Sequence, residues 1–330
     1  MQPFSHIRAR SVQQAVDELA RGQPGAVRLL AGGTNLVDLM RLGVETPTRL
    51  VDITGIPGLS TISVSETGLT LGALVRMSDA ADHPDIRRDW PGVSEALWKG
   101  ASAQLRNMAT LGGNLMQRTR CPWFRDVATA CDRRMPGSGC AATSGPDRHA
   151  ALLGGGTQCV AVHPGDFAVA LTAFDARVEV IGPAGNRHVP MAELLRLPGD
   201  SPARETSLDP AEMILGITIP SARAARHSAY VKLRDRASYA FALASAAAAV
   251  VVEGGIVTEA RIALGGVATV PWRAPDAEAS LIGRPLTPEA AAAAGRIALQ
   301  NARPGRQNRF RIDLAAAAVA EALITAGTRS

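Results

Sequence analysis

The sequence predicts an α+β protein of two or three domains, with strands and helices mixed but not in strict βαβ alternation. Three observations lead there. The chain has 330 residues, too many for one small domain. Through the first two thirds, strand patterns, glycine turns and helical stripes follow one another irregularly. Beyond about residue 222 the texture changes to alanine-rich strands and two alanine-rich helices. Apolar residues make up 46% of the chain, which supports a large core and argues against disorder.

The elements follow in order. In SVQQAVDELARG, Val12, Val16 and Leu19 form a helical stripe, opened by the capping pair Ser11 and Gln14 and closed at Gly22. VRLLAGGTNLVDLM reads as an apolar strand, a Gly-Gly turn and a short helix, and RLVDIT as a second strand. Pro57 and Gly58 mark a boundary. STISVSETGLTLGAL alternates about Glu66-Thr67-Gly68 as a hairpin. PGVSEALWKGASAQLRNMA is expected to be helical and to lead into a second glycine turn, TLGGN. HPGDFAVALTAFDA predicts a helix with Pro164 in its first turn and Asp166 close behind. RVEVIGPAGNRHVP is a hairpin pattern and MILGITIP a strand. YAFALASAAAAVVV, residues 239–252, reads as a helix running into a strand, followed by a strand pair about Glu253-Gly254-Gly255. TPEAAAAAGRIALQ and DLAAAAVAEALITAG predict the closing helices. There is no internal repeat.

Composition excludes several functions. Lys and Arg exceed Asp and Glu by five, without the long basic stripe and interleaved aromatics of a nucleic-acid binder. One local concentration, Arg118, Arg120, Arg125, Arg133 and Arg134, is expected to balance nearby negative charge. The longest apolar run is too short to span a bilayer. The first residues lack the apolar core of a signal peptide, so a cytoplasmic location is expected from this sequence.

Three motifs carry the candidate chemistry. In LLAGGTN, Gly32 and Gly33 allow a tight turn that brings backbone N–H groups to a phosphate, with Thr34 and Asn35 at the next helix start. For one such motif alone, a plain strand-to-helix turn is the better explanation. TLGGN repeats the logic with Thr110, Gly112, Gly113 and Asn114, and two such turns point to a ligand with two phosphates. Neither matches G-x-G-x-x-G or G-x-x-x-x-G-K-[ST]. The third motif is the cysteine set Cys121, Cys131, Cys140 and Cys159, the only four in the chain. Disulfides, structural zinc and a [4Fe–4S] cluster all take four cysteines, and the spacing matches neither paired zinc knuckles nor short ferredoxin runs. The nearby arginines favour a negatively charged cluster. His149 and His163 are further metal-ligand candidates that four cysteines make unnecessary. Asp166 reads as a helix-start acid or a ligand residue, and Lys232 as a strand-edge lysine or a cofactor anchor. No Ser/His/Asp set or paired carboxylates suggest a hydrolase.

LLAGGTNL, ATLGGN, HPGDFAVALTAFDA, MILGITIP and YVKLRDRASYAFA occur in an order that resembles the flavin subunits of the molybdenum hydroxylases, the xanthine dehydrogenase and carbon monoxide dehydrogenase family. The resemblance covers nearly the whole chain. It implies a two-lobed FAD-binding region at 1–221, with lobes of about 1–56 and 57–221, and a smaller C-terminal α+β domain at 222–330. It implies FAD contacts from Leu30, Ala31, Gly32, Gly33, Thr34, Asn35 and Leu36, from Thr110, Gly112, Gly113 and Asn114, and from Asp166. Leu215 and Lys232 would lie near the isoalloxazine.

Most of that family pass from the Gly-Gly-Asn turn to the Asp helix within a few residues. Here about 115–162 intervene and hold all four cysteines. A similar insertion marks the flavin subunits of bacterial aldehyde oxidoreductases and 4-hydroxybenzoyl-CoA reductases, where it holds an extra [4Fe–4S] cluster. RTRCPWFRD and PGSGCAA look most like the aldehyde oxidoreductase branch. The resemblance thus implies Cys121, Cys131, Cys140 and Cys159 as cluster ligands and no catalytic side chain. It implies an electron-transfer subunit of an aldehyde or heteroaromatic oxidoreductase. Its partners would be a molybdopterin-binding large subunit, a [2Fe–2S] small subunit and an external acceptor. Export with a signal-bearing partner would make it periplasmic. The rival expectations are a stand-alone FAD oxidase or reductase, a 4-hydroxybenzoyl-CoA reductase-type subunit, and a zinc-stabilised binding module.

Overall fold

The computed structural model describes residues 1–329. Its strands form three sheets. In the first, Arg49–Asp52 lies between Ser5–Arg8 and Val27–Leu30, parallel to both. The Val12–Arg21 helix connects the two outer strands, and its Ser11 cap accepts the Gln14 N–H at 3.2 Å. Gln14 returns the contact one residue earlier than a strict capping box, to the Arg10 N–H at 2.9 Å.

The second sheet is antiparallel, in the order Ile62–Ser65, Gly68–Gly72, Met213–Pro220, Arg177–Gly182, Gly185–Pro190. Both predicted hairpins are here, and the Met213–Pro220 strand sits between them. The Phe167–Ala173 helix, buried at every position, shares one core with Leu69, Leu71, Ile217 and Ile219 of this sheet. Asp166 precedes that helix as its N-cap, so Pro164 lies before the first turn and not within it.

The third sheet orders Trp272–Arg273, Ile256–Gly265, Ala244–Glu253 and Ser228–Leu233, again antiparallel. Here the structure overturns one expectation. Residues 239–243 are irregular and the alanine run that follows is strand throughout, with no helix leading into it. Alanine favours helices intrinsically, but both faces of this strand are buried. Ala246, Ala248 and Val250 face the C-terminal core, while Ala247, Ala249 and Val251 face the central one. Small side chains let the Phe310–Gly327 helix lie close over the sheet through Ala315, Ala318 and Ala322.

The expected helix after Pro91 is two helices, Pro91–Lys99 and Ala103–Arg106, because Ala101 turns left-handed at φ 49° after Gly100. TLGGN also differs from expectation. It is not an open loop but the start of the Leu111–Leu115 helix, with Thr110 as N-cap accepting the Gly113 N–H at 3.3 Å. Arg311, 1% exposed, ties distant segments together by donating to the carbonyls of Arg148, Ala150, Leu243 and Gly266. Among the described residues, no helix is long and apolar enough to cross a membrane.

Candidate functional site

The two glycine motifs meet. A Cβ on Gly32 would stand 1.9 Å from the Met108 carbonyl oxygen, so the first turn touches the backbone just before the second. Only glycine fits that approach. Gly33 follows with φ +71°, the left-handed region that favours glycine. Gly112 is held from the other side, its N–H donating to the Ala73 carbonyl at 2.8 Å.

Together these segments line one side of a cleft of about 580 Å³. Ala31, Gly32, Gly33, Thr34, Asn35, Leu36, Thr110, Gly112 and Gly113 all contribute. Further lining comes from Thr119 and Val162 of the insertion, from Pro164, and from Leu195, Arg196 and residues 203–209, a stretch that the sequence reading did not single out. The remaining expected residues, Leu30, Asn114, Asp166, Leu215 and Lys232, are not among the lining, and Lys232 borders a separate hollow with Arg234 and Leu243. Leu30 ends its strand and lies against Gly33. Asn114 donates Nδ2 to the Met77 sulfur at 3.2 Å, and its Oδ1 is buried without a partner. Leu215 accepts the Ala73 N–H at 2.9 Å through its carbonyl.

Asp166 and Lys232 find each other. Lys232 Nζ donates to Asp166 Oδ2 at 2.8 Å, and the Tyr230 hydroxyl donates to Oδ1 at 2.6 Å. The Lys232 side chain is 1% exposed and that of Asp166 8%. Burial pushes the Asp166 carboxyl up, while Lys232 and Tyr230 work to hold it down. Asp166 makes no capping bond to its own helix, so this pair, and not a helix dipole contact, occupies its side chain.

Of the arginine concentration, Arg118, Arg125 and Arg133 pair with carboxylates, whereas Arg120 and Arg134 donate to backbone carbonyls. Glu45, 7% exposed, accepts from Arg28 Nε at 2.9 Å and Arg118 Nη1 at 2.7 Å. Burial alone would raise its carboxyl, but the two guanidiniums hold it below its ordinary range. Glu205 accepts from Arg118 Nε at 2.7 Å and Arg133 Nη1 at 3.0 Å. Arg133 Nη2 reaches Cys159 Sγ at 3.5 Å. An unbroken chain of charged contacts therefore runs from the cleft wall to the cysteine segment. Neither Glu45 nor Glu205 belongs to a sequence motif, and only their folded neighbours identify them.

The cysteine segment is anchored at both ends. Thr119 Oγ1 donates to the Val162 carbonyl at 2.9 Å and accepts the Cys121 N–H at 3.2 Å. Cys131 and Cys140 pair through an antiparallel bridge. Cys121 and Cys140 both lie within electrostatic reach of Cys131 and Cys159. All four thiols are free. Among the described residues, however, no three His, Cys, Asp or Glu side chains converge as a ready metal site. Cys121 and Cys131 pack on Leu39 and Phe124 as small apolar groups, and burial pushes the Cys121 and Cys140 thiols up.

Comparison with known proteins adds to this geometry. Residues 2–222 match the FAD binding domain in molybdopterin dehydrogenase, and residues 228–326 the CO dehydrogenase flavoprotein C-terminal domain. The chain belongs to the FAD-binding subunits of the molybdenum hydroxylases, as the flavoprotein component of that group of oxidoreductases. It is 45% identical to the aldehyde oxidoreductase FAD-binding subunit PaoB of Escherichia coli K12, over 99% of both chains. It is 28% identical to the carbon monoxide dehydrogenase medium chain of Hydrogenophaga pseudoflava, over 93% of this chain and 89% of that one. A solved structure of carbon monoxide dehydrogenase from the same organism superimposes with a TM-score of 0.78 at 27% identity, covering 99% and 98% of the two chains.

Proposed function

We propose that the chain is the FAD and [4Fe–4S] electron-transfer subunit of a three-chain, molybdenum-dependent aldehyde oxidoreductase. The observation that carries this reading is the single cleft onto which both glycine turns open. The residues around it suit FAD. Both glycine turns line it, with Thr34, Asn35 and Thr110 beside them, and Asn35 Nδ2 is buried there without a partner. Gly32, Gly33, Thr34, Asn35, Thr110, Gly112 and Gly113 would bind and orient the dinucleotide. Asp166, Lys232 and Leu215 would fix the wall behind its ring. The bound flavin handles electrons singly or in pairs, which suits a junction between one-electron centres and a two-electron acceptor. Likeness to an aldehyde oxidoreductase subunit favours an aldehyde as the substrate of the whole enzyme. The partners would be a molybdopterin-binding large subunit and a [2Fe–2S] small subunit. In this reading 1–221 is the flavin region, with lobes of about 1–56 and 57–221 and the insertion at about 115–162, and 222–330 is the C-terminal domain.

For the cluster, the donor set is chemically apt. Every cysteine of the chain lies within 121–159, and Arg133 already offers N–H to one sulfur. The route Cys159–Arg133–Glu205–Arg118, with Arg118 N–H donating to Asn35 Oδ1 at 3.0 Å, would couple the segment to flavin binding. Anaerobically purified protein is expected to carry about four irons and four sulfides per chain. Cys131→Ser is expected to lower both and to loosen FAD. Zinc in place of iron, or neither metal, would remove the cluster from the account. Full flavin in an iron-free variant would remove only the coupling.

A further inference from the structure

Within the cysteine segment, Cys131 and Cys140 face each other across a short hairpin. Their register is set just outside the pair, where the Ala141 N–H donates to the Ala130 carbonyl at 3.0 Å. The carbonyls of the two cysteines turn elsewhere. Cys131 accepts from the Met135 N–H at 2.8 Å, and Cys140 from the Thr143 N–H at 3.2 Å. Cys131 and Cys140 are therefore a non-hydrogen-bonded antiparallel pair. In such a pair the Cα atoms stand about 4.5 Å apart and both side chains leave on the same face. A disulfide spans Cα separations of about 4.4–6.8 Å, so this register admits one without backbone movement.

The hairpin is also closed from within. Asp132 Oδ1 accepts the Gly139 N–H at 2.8 Å, and Ser138 Oγ accepts the Cys131 N–H at 3.0 Å. The two thiols differ in access: Cys131 is 6% exposed, whereas Cys140 is only half-buried and can meet a small reagent. Cys121 lies within electrostatic reach of Cys131, and Cys159 of Cys140. Among the described residues, neither shares a backbone pairing with them, and Cys159 already accepts from Arg133.

We propose that Cys131 and Cys140 are a redox-sensitive pair, which closes to a cross-strand disulfide when the segment holds no metal and meets a small-molecule disulfide. The Cys140 thiolate attacks one sulfur of that reagent, forming a mixed disulfide and releasing one small thiol. The Cys131 thiolate then attacks the Cys140 sulfur and expels the second. Two protein thiols are oxidised, the reagent is reduced to two thiols, and the two protons pass to those products. A dithiol reductant reverses both steps. A sulfur held in this bond has no thiolate to give iron, so disulfide and cluster are alternative states of the pair. The pairing stands on the register alone, and only this exclusion rests on the cluster reading.

The test exposes the full chain, stripped of metal by a chelator and fully reduced, to glutathione disulfide. Remaining thiols are alkylated, and the unfolded protein is digested without reduction for mass spectrometry. Trypsin cuts after Arg133 and Arg134, between the two cysteines, so the bond appears as joined peptides that a reductant separates. The expected result is a Cys131–Cys140 bond at least about tenfold more abundant than any other pair, with Cys121 and Cys159 alkylated. In Cys131→Ser, glutathione should stay on Cys140, because the thiol that displaces it is gone. Should that variant fail to fold, the wild-type map decides alone. A predominant Cys121–Cys131 or Cys140–Cys159 bond, an even mixture of pairs, or glutathione adducts alone in the wild type overturns the proposal. Protein that carries iron should resist the same treatment, and a Cys131–Cys140 bond in iron-loaded protein overturns the exclusion. A chain that never holds iron yet forms the bond keeps the pairing and removes only the cluster reading.

Discussion

Gly32→Ala is expected to strip the chain of FAD while leaving its overall fold in place. The added methyl would fall 1.9 Å from the Met108 carbonyl oxygen, 2.7 Å from its carbon and 3.2 Å from Ala109 Cα. All three are backbone atoms, so no side-chain rotation relieves the contact. The 31–34 turn and the 108–110 segment must move apart, and both border the same cleft. Overpacking of this kind costs about 1–3 kcal/mol, and a cleft widened at the pyrophosphate loses binding energy in the same range. Affinity for FAD should fall by about 10- to 100-fold, with little change in circular dichroism. Alanine at Gly33 has a different fault, a left-handed φ of +71° with Leu30 and Val37 at 3.3 Å, and side chains there can yield. Flavin content after purification checks the prediction. A fully loaded Gly32→Ala protein would separate the first glycine turn from the site.

Asp166→Ala is expected to destabilise the protein by about 3–5 kcal/mol, since it leaves the Lys232 ammonium buried without a counter-charge. The same substitution strips the Tyr230 hydroxyl of its 2.6 Å acceptor. The damage falls at a junction, because Asp166 heads the buried Phe167–Ala173 helix while Tyr230 and Lys232 belong to the third sheet. Urea unfolding of the single variants and of Asp166→Leu/Lys232→Met measures the effect. The double variant should recover much of the loss, because two apolar groups there leave no charge unpaired. Equal destabilisation by the single and double variants would mean that packing, not charge, holds the junction.

The sequence made elements legible where a local signal coincided with the fold. The Ser11 cap, the hairpins about Glu66-Thr67 and Gly182-Pro183, and the two alanine-rich closing helices all carry their own signatures. The Ala244–Glu253 strand does not. Burial on both faces erased the alternation that would have marked it, with Ala246 and Ala248 in the core under the Phe310–Gly327 helix and Ala247 and Ala249 in the central one. The glycine motifs identified one wall of the cleft. The rest was hidden because Glu45 and Glu205 act through a partner far away in the chain, Arg118, 73 and 87 residues from the two glutamates. Asp166 and Lys232 were each visible, but nothing in the spacing of 66 residues tells that they pair.

Flavin reduction by substrate tests the central claim most directly. The visible flavin band is followed after an aldehyde is mixed anaerobically with the chain, first alone and then assembled with its molybdenum and [2Fe–2S] partners. The account predicts no bleaching of the isolated, fully loaded chain and rapid bleaching of the assembled enzyme. Bleaching of the isolated chain by aldehyde, or an assembled enzyme that turns over while its flavin stays oxidised, would contradict it.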